Sequence, residues 1–341
     1  MNDALWGISL LWSLVFIYAI AGSVDFGAGF WAMVYHRQKD AHAATLANRY
    51  LSPLWEVTNV FLVLFAVSLV GLFPTAAYAL GSVLLVPGDL ILILLTIRTV
   101  FMVYTHVVHQ FQYSLRIVAG VTGLLIPALL MTVFPVAQGG YLSNTGGAYY
   151  LSLSGLLTNW TTYTYILLGI LSELFISAVI LADYARIADD TSAFHAYRQL
   201  GLWLGPLAMV SALLVLWAIP ASAAWLQDDL LRQGWLFILS GVFFTIAMVI
   251  FWRARSVRQK VYRVGVVAVV LQYAFAMAAY GRAHLPYIVY PSITVQNSFT
   301  NVEMFRAAIL VLIIGMAILF PGFIWFWRLF LESKAYAHEP E

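Results

Sequence analysis

Pro53-Leu54-Trp55-Glu56-Val57-Thr58-Asn59-Val60 opens an apolar run that continues to Phe73. A carboxyl group and a carboxamide therefore stand at the mouth of a segment long enough to cross a bilayer, which takes about 20 residues. Glu56 and Asn59 lie about one helical turn apart and share a face. An acid inside a bilayer costs ~2.5 kcal/mol or more unless it is paired or hydrated. Two readings fit the stretch. One is proton or ion handling. The other is a plain helix start, with Ser52 as N-cap, Pro53 at the first position and Glu56 in the first turn.

The rest of the chain is of the same kind. Of 341 residues, 63% are hydrophobic and only 9% charged, whereas about a quarter are charged in a soluble domain. Mean hydropathy is +0.89. These values predict an all-α polytopic membrane protein, because lipid tolerates only helices or closed barrels, and the alternating strands of a barrel are absent. Cysteine is absent, which excludes disulfides, thiolate metal sites and cysteine nucleophiles. No phosphate-binding loop, dinucleotide fingerprint or zincin helix occurs, and nothing supports nucleic-acid binding. The first apolar run has no basic region before it and is too long for a signal peptide, so it is expected to be a retained span.

Nine apolar segments can each cross a ~30 Å hydrocarbon core: 4–34, 53–73, 76–105, 115–136, 160–183, 199–219, 233–252, 261–281 and 304–331. With the N-terminus outside, the inner segments hold Arg37, Lys39, Arg49, Arg116, Arg186, Arg198, the basic run from Arg253 to Arg263, Arg328 and Lys334. The outer side has only Arg232, Arg282 and Arg306. This is a positive-inside pattern, and it places the C-terminus in the cytoplasm. Tyr35-X-Arg37 precedes Arg49 at the spacing by which Tyr184-X-Arg186 precedes Arg198. The repetition predicts one membrane domain over 1–341: a four-helix bundle at 4–136, a second in parallel orientation at 160–281, and an additional helix at 304–331. The outer loops, 137–159 and 282–303, do not resemble further domains. Trp6, Trp12, Trp160, Trp225 and Trp235 fall near outer span ends, as interfacial anchors do.

Asp25, Glu56, Asp89, Arg98 and Glu173 lie within or near spans. At ~1.5 Å per residue, Asp25 is ~13 Å, Arg98 ~10 Å and Glu56 ~5 Å from the inner surface. Consecutive helices with short loops are usually neighbours, so these three groups can form one hydrated cluster. Gly22, Asp25 and Gly29 share a face, which turns Asp25 toward protein and away from lipid. The structural reading is a buried ion pair that fixes packing. The functional reading is a proton path from the cytoplasm, since a buried acid beside a guanidinium is pulled both ways and can exchange protons. Asp89 follows Pro87-Gly88, where a helix break is expected. It and Glu173 are expected to face a bundle interior or a partner subunit. None of His36, His42, His106, His109, His195, His284 and His338 lies mid-span. The chain is therefore expected to ligate no haem of its own, and no zinc spacing is met.

Taken together, Val24-Asp25-Phe26-Gly27-Ala28-Gly29, the Pro53–Leu62 stretch and Arg98 late in the third span resemble subunit II of cytochrome bd-type quinol oxidases. The resemblance extends over the chain. It implies a heterodimer in the bacterial or archaeal cell membrane, whose subunit I carries the quinol site and the haems, b-type and in the common form also d-type. A small single-span accessory subunit can be present. The complex oxidises quinol and reduces dioxygen to water with protons from the cytoplasm. Carried over, Asp25 and Glu56, with Asn59, are proton-path residues and Arg98 the associated cation; this chain binds no cofactor and no metal. The family's common Trp-Asp-Gly-Asn reads here Trp55-Glu56-Val57-Thr58-Asn59, one residue longer. The acid that often follows the span-three arginine is missing in Val103-Tyr104-Thr105-His106. Both departures point to the divergent cyanide-insensitive or Geobacillus-like branch. Two competing readings use the same features: a proton-coupled secondary transporter and a purely structural assembly subunit.

Overall fold

The structure is a computed structural model that describes residues 2–37, 41–105, 112–145 and 148–330. The side chains of 48–57, Glu56 and Arg49 among them, lie outside the described residues, as do His106, His109 and the residues after 330. The chain is built almost wholly of helices. They are α1 (Asn2–Arg37), α2 (Ala41–Leu72), α3 (Pro74–Val83), α4 (Leu85–Thr105), α5 (Gln112–Leu130), α6 (Val133–Gln138), α7 (Leu153–Thr158), α8 (Trp160–Ile187), α9 (Thr191–Trp217), α10 (Ala224–Arg232), α11 (Gly234–Arg253), α12 (Val261–His284), α13 (Val295–Ser298) and α14 (Val302–Phe330). Among the described residues, 7 stretches are long and apolar enough to cross a membrane. They fall in α1, α4, α5–α6, α8, α9, α11 and α12, and Thr58–Leu72 is a shorter apolar helix. The protein is a multi-pass α-helical membrane protein.

Local chemistry sets the helix starts. The Asn159 side chain accepts from Thr161 N at 2.9 Å and caps α8. Asp190 does the same for α9 through Ala193 N at 3.0 Å, each satisfying one of the donors a helix start leaves unpaired. Asp189 between them has φ 55, a left-handed conformation that Asp tolerates. The expected break at Pro87-Gly88 is not there. It falls at Leu84, and Gly88 N donates to Leu84 O at 2.7 Å. Pro87 lies in the first turn of α4, where its missing N–H costs nothing.

Two further findings concern the tryptophans and the loops at 137–159 and 282–303. The loops contain short antiparallel ribbons, β1 (Leu142–Thr145) with β2 (Ala148–Leu151) and β3 (Tyr287–Val289) with β4 (Ile293–Thr294). Backbone bonds from Tyr290 N to Ala137 O at 3.0 Å and Thr300 N to Leu72 O at 2.9 Å tie the second loop across the helix ends. Trp6, Trp160 and Trp235 are exposed as anchors would be, but Trp12 and Trp225 are packing groups. Trp12 donates to Met277 O at 2.7 Å, and Trp225 stacks on Tyr290 with ring centroids 4.8 Å apart.

Helix α1 lies at the centre, packed against α2, α5 and α8; α8 packs on α9, α11 on α12, and α4 on α5. Its second half joins Val24, Ala28 and Trp31 to Phe175 and Val179 of α8 and to Tyr197 of α9 in one core. The α1–α8 approach is set by Gly27, where a Cβ would collide with Ser177 Cβ. Beside it Trp31 Nε1 donates to Ser177 Oγ at 2.9 Å. Lipid offers no hydrophobic drive between helices, so close backbone approach and interhelical hydrogen bonds hold such a contact.

Candidate functional site

Three helices meet around Arg98. The side chain leaves α4 and reaches between α1 and α5. Its Nη1 donates to Ala119 O at 2.5 Å. Its Nη2 donates to Asp25 O at 2.8 Å and to Asp25 Oδ1 at 3.2 Å. The guanidinium also lies over the Phe26 ring, 5.1 Å from its centroid, where the ring quadrupole favours a cation. Side-chain exposure is 3% for Arg98 and 5% for Asp25.

Glycines make the room. A Cβ on Gly29 would sit 3.0 Å from Arg98 Nη2 and 3.1 Å from both Nη1 and Ala119 O. One on Gly123 would sit 2.5 Å from Phe26 O. The slot therefore needs Gly on both walls. The planar fork of the guanidinium suits it, since one group can reach carbonyls of two helices and a carboxylate together. Among the described residues, Arg98 Nε and the buried Tyr18 hydroxyl have no hydrogen-bond partner. Tyr18 lies within electrostatic reach of Asp25 and Arg98. A carboxyl and a fixed cation enclosed by apolar helices are the groups that membrane proteins use to carry protons or to lock helices together.

A family model described as cytochrome bd terminal oxidase subunit II matches residues 3–330. The chain belongs to that family. It is 41% identical over 343 aligned residues to the putative cytochrome bd menaquinol oxidase subunit II of Bacillus subtilis, covering 100% of this chain and 99% of the relative. It is also similar to a chain of the bd oxidase structure from Geobacillus thermodenitrificans, with a TM-score of 0.81 and 36% identity over 98% of this chain and 100% of that one. The protein is thus one subunit of an oxygen-reducing terminal oxidase, a complex that uses haems and quinol, and a subunit I is implied as its partner.

Of the expected site residues in this bd oxidase subunit II, the structure brings Asp25 and Arg98 into contact. Asn59 is half-buried on α2, next to the buried Thr58. A Cβ on Gly22 of α1 would stand 3.8 Å from Thr58 Cγ2. Glu56 precedes Thr58 by about 3 Å along the helix axis, so its backbone stands near the level of Asp25; its side chain lies outside the described residues. Asp89 is exposed on α4. Sequence reasoning missed the Ala119 carbonyl and the Gly123 wall, whereas Glu173, expected to face a bundle interior or a partner, is buried. A carbonyl acceptor leaves no trace in residue type. Gly120-Val121-Thr122-Gly123 was a readable sign of close approach to α5.

Proposed function

We propose that this subunit supplies its oxidase with a proton path from the cytoplasm, entered at Glu56 and Asn59 and continued by the Asp25–Arg98 pair. The observation that carries the reading is that ion pair, enclosed by α1, α4 and α5 inside an apolar helix assembly. Dioxygen reduction consumes protons, and a buried acid that a neighbouring cation holds ready is a suitable carrier. The positive-inside charges favour an outer N-terminus and a cytoplasmic C-terminus. Nine crossings then follow, with α3–α4 and α5–α6 each counted once and α2 and α14 added. The two-bundle grouping has support from the α1, α2, α4 and α5 pairings and from α8 with α9 and α11 with α12.

The haems belong, on this reading, to subunit I. Among the described residues the buried histidine is His284, the last residue of α12 and not a mid-span position. The name of the Bacillus subtilis relative favours menaquinol as reductant. A transporter reading has no support from the family.

Two expected outcomes test this. Asp25→Asn and Glu56→Gln in the assembled oxidase slow oxygen-dependent quinol oxidation at least several-fold while haem spectra and subunit stoichiometry stay normal. Normal turnover in both variants removes the path. The second concerns Asp89, which stands ~22 Å from either end of the α3–α4 crossing and is exposed among Leu85, Val86, Leu92 and Ile93. A carboxyl group there needs a donor, and we assign that donor to a membrane helix of subunit I. Asp89→Leu is expected to reduce the subunit I that co-purifies with this chain, and unchanged recovery would return this face to lipid.

A further inference from the structure

Helix α8 carries a second acid that the site described above does not use. Glu173 is 1% exposed, and neither carboxyl oxygen has a hydrogen-bond partner. Asp183, on the same helix, is the contrast. Its two oxygens are held by Arg186 at 2.8 Å and Arg263 at 3.0 Å. Glu173 is placed by the tight α1–α8 contact, since a Cβ on Gly27 would stand 3.4 Å from the Glu173 carbonyl. Gly27 is two residues from Asp25. One turn further along α8, Ser177 Oγ donates to Glu173 O at 2.8 Å and accepts from Trp31. Glu173 accordingly lies within electrostatic reach of both Arg98 and Asp25.

We infer that Asp25, Arg98 and Glu173 form one unit holding a single exchangeable proton, and that this proton resides on Glu173. The argument is a charge count joined to hydrogen bonding. Two carboxyls share one guanidinium, so the unit is neutral only with one proton bound. Asp25 already accepts from Arg98 Nη2. Glu173 receives no hydrogen bond at either oxygen, and a bare buried carboxylate is far costlier than a neutral acid in the same place. The other groups that face this region do not change the count. Tyr18 on α1 and Tyr273 on α12, the latter beside Ser172, are phenols, and Thr122 of α5 bonds back to Val118 O and Ala119 O. Asp183 is already paired. In use, the Glu173 O–H bond breaks and the proton passes to a water molecule; a proton drawn from the Asp25 side re-forms the bond. No electron moves and the charge is restored.

The inference rests on the proton-path reading only for its kinetic consequence, and the test separates the two. The assembled oxidase, with subunit I, is reconstituted in lipid nanodiscs and infrared spectra are recorded in H2O and D2O in the region of protonated carboxyl C=O stretches. Glu173→Gln is expected to remove a deuterium-sensitive band, and Glu173→Asp to move that band. Glu173→Gln is also expected to slow turnover several-fold with haem spectra unchanged. If every protonated-carboxyl band survives Glu173→Gln, or if Glu173→Asp serves where that variant does not assemble and leaves the bands unmoved, the inference is overturned. Loss of the band with normal turnover in Asp25→Asn keeps the proton on Glu173 but ends the path through Asp25. Slow turnover in Asp25→Asn with no spectral change in Glu173→Gln keeps the path and ends this inference.

Discussion

Arg98→Ala is expected to give little folded protein, and Arg98→Lys is expected not to restore it. The guanidinium satisfies Ala119 O, Asp25 O and Asp25 Oδ1 from a buried position. Its removal leaves Asp25 as an uncompensated charge, and breaking a buried pair in this way costs about 3–5 kcal/mol. That is a large part of the ~5–15 kcal/mol by which a native protein is stable. An ammonium lacks the fork that reaches two helices at once, and it would have to fill a slot shaped by Gly29 and Gly123. Asp25→Asn is the informative contrast. Its carboxamide oxygen can still accept from Nη2 and the Glu173 carboxyl can ionise to balance the guanidinium, so the loss should be smaller than in Arg98→Ala. Thermal unfolding of the detergent-solubilised oxidase, with the yield of monodisperse complex, orders the variants as wild type, Asp25→Asn, Arg98→Lys, Arg98→Ala. Wild-type stability in Arg98→Lys would mean that the two carbonyl contacts are incidental. The same order also separates clamp from carrier, because Asp25→Asn is predicted to be stable yet slow.

Gly123→Ala and Gly27→Val form the second large effect. A methyl group on Gly123 would stand 2.5 Å from the Phe26 carbonyl oxygen. That oxygen belongs to backbone and cannot turn aside, so α5 must move off α1 and open the Arg98 slot. On Gly27 the clash is with Ser177, the residue that links α8 to Trp31. Overpacking of this sort costs roughly 1–3 kcal/mol and more where backbone must shift. Gly81 meets nothing within 4 Å, so Gly81→Ala serves as the control and should leave the unfolding temperature unchanged. Equal behaviour of Gly81→Ala and Gly123→Ala would contradict the packing described here.

The two sets of variants also mark how far residue order reaches. Asp25 and Arg98 were placed at similar depth by nothing more than 1.5 Å of rise per residue and the sign of the loop charges, and they meet at 3.2 Å. Depth along a helix follows from sequence position because the rise is fixed. Rotation about the helix axis and choice of neighbour do not follow. Glu173 could be counted as an acid in a span, yet its approach to Asp25 depends on the Gly27–Ser177 contact between segments about 150 residues apart. The break at Leu84 escaped notice for a related reason. Pro87 fits the first turn of a new helix as well as it would end an old one. Trp12 and Trp225 have the right depth for lipid anchors, but neighbouring helix ends cover them.

Composition, hydrophobic run length and loop charge thus determined by themselves that this chain is a helical membrane protein with acids and an arginine set into its spans. The Glu56 stretch with Asp25 and Arg98 was enough to resemble a bd oxidase subunit II. Only the tertiary structure decided which charged groups touch. Contact between helices is settled by close approach at a few small residues, and whether Gly27, Gly29 and Gly123 face one another is a property of the packed assembly that no one segment carries.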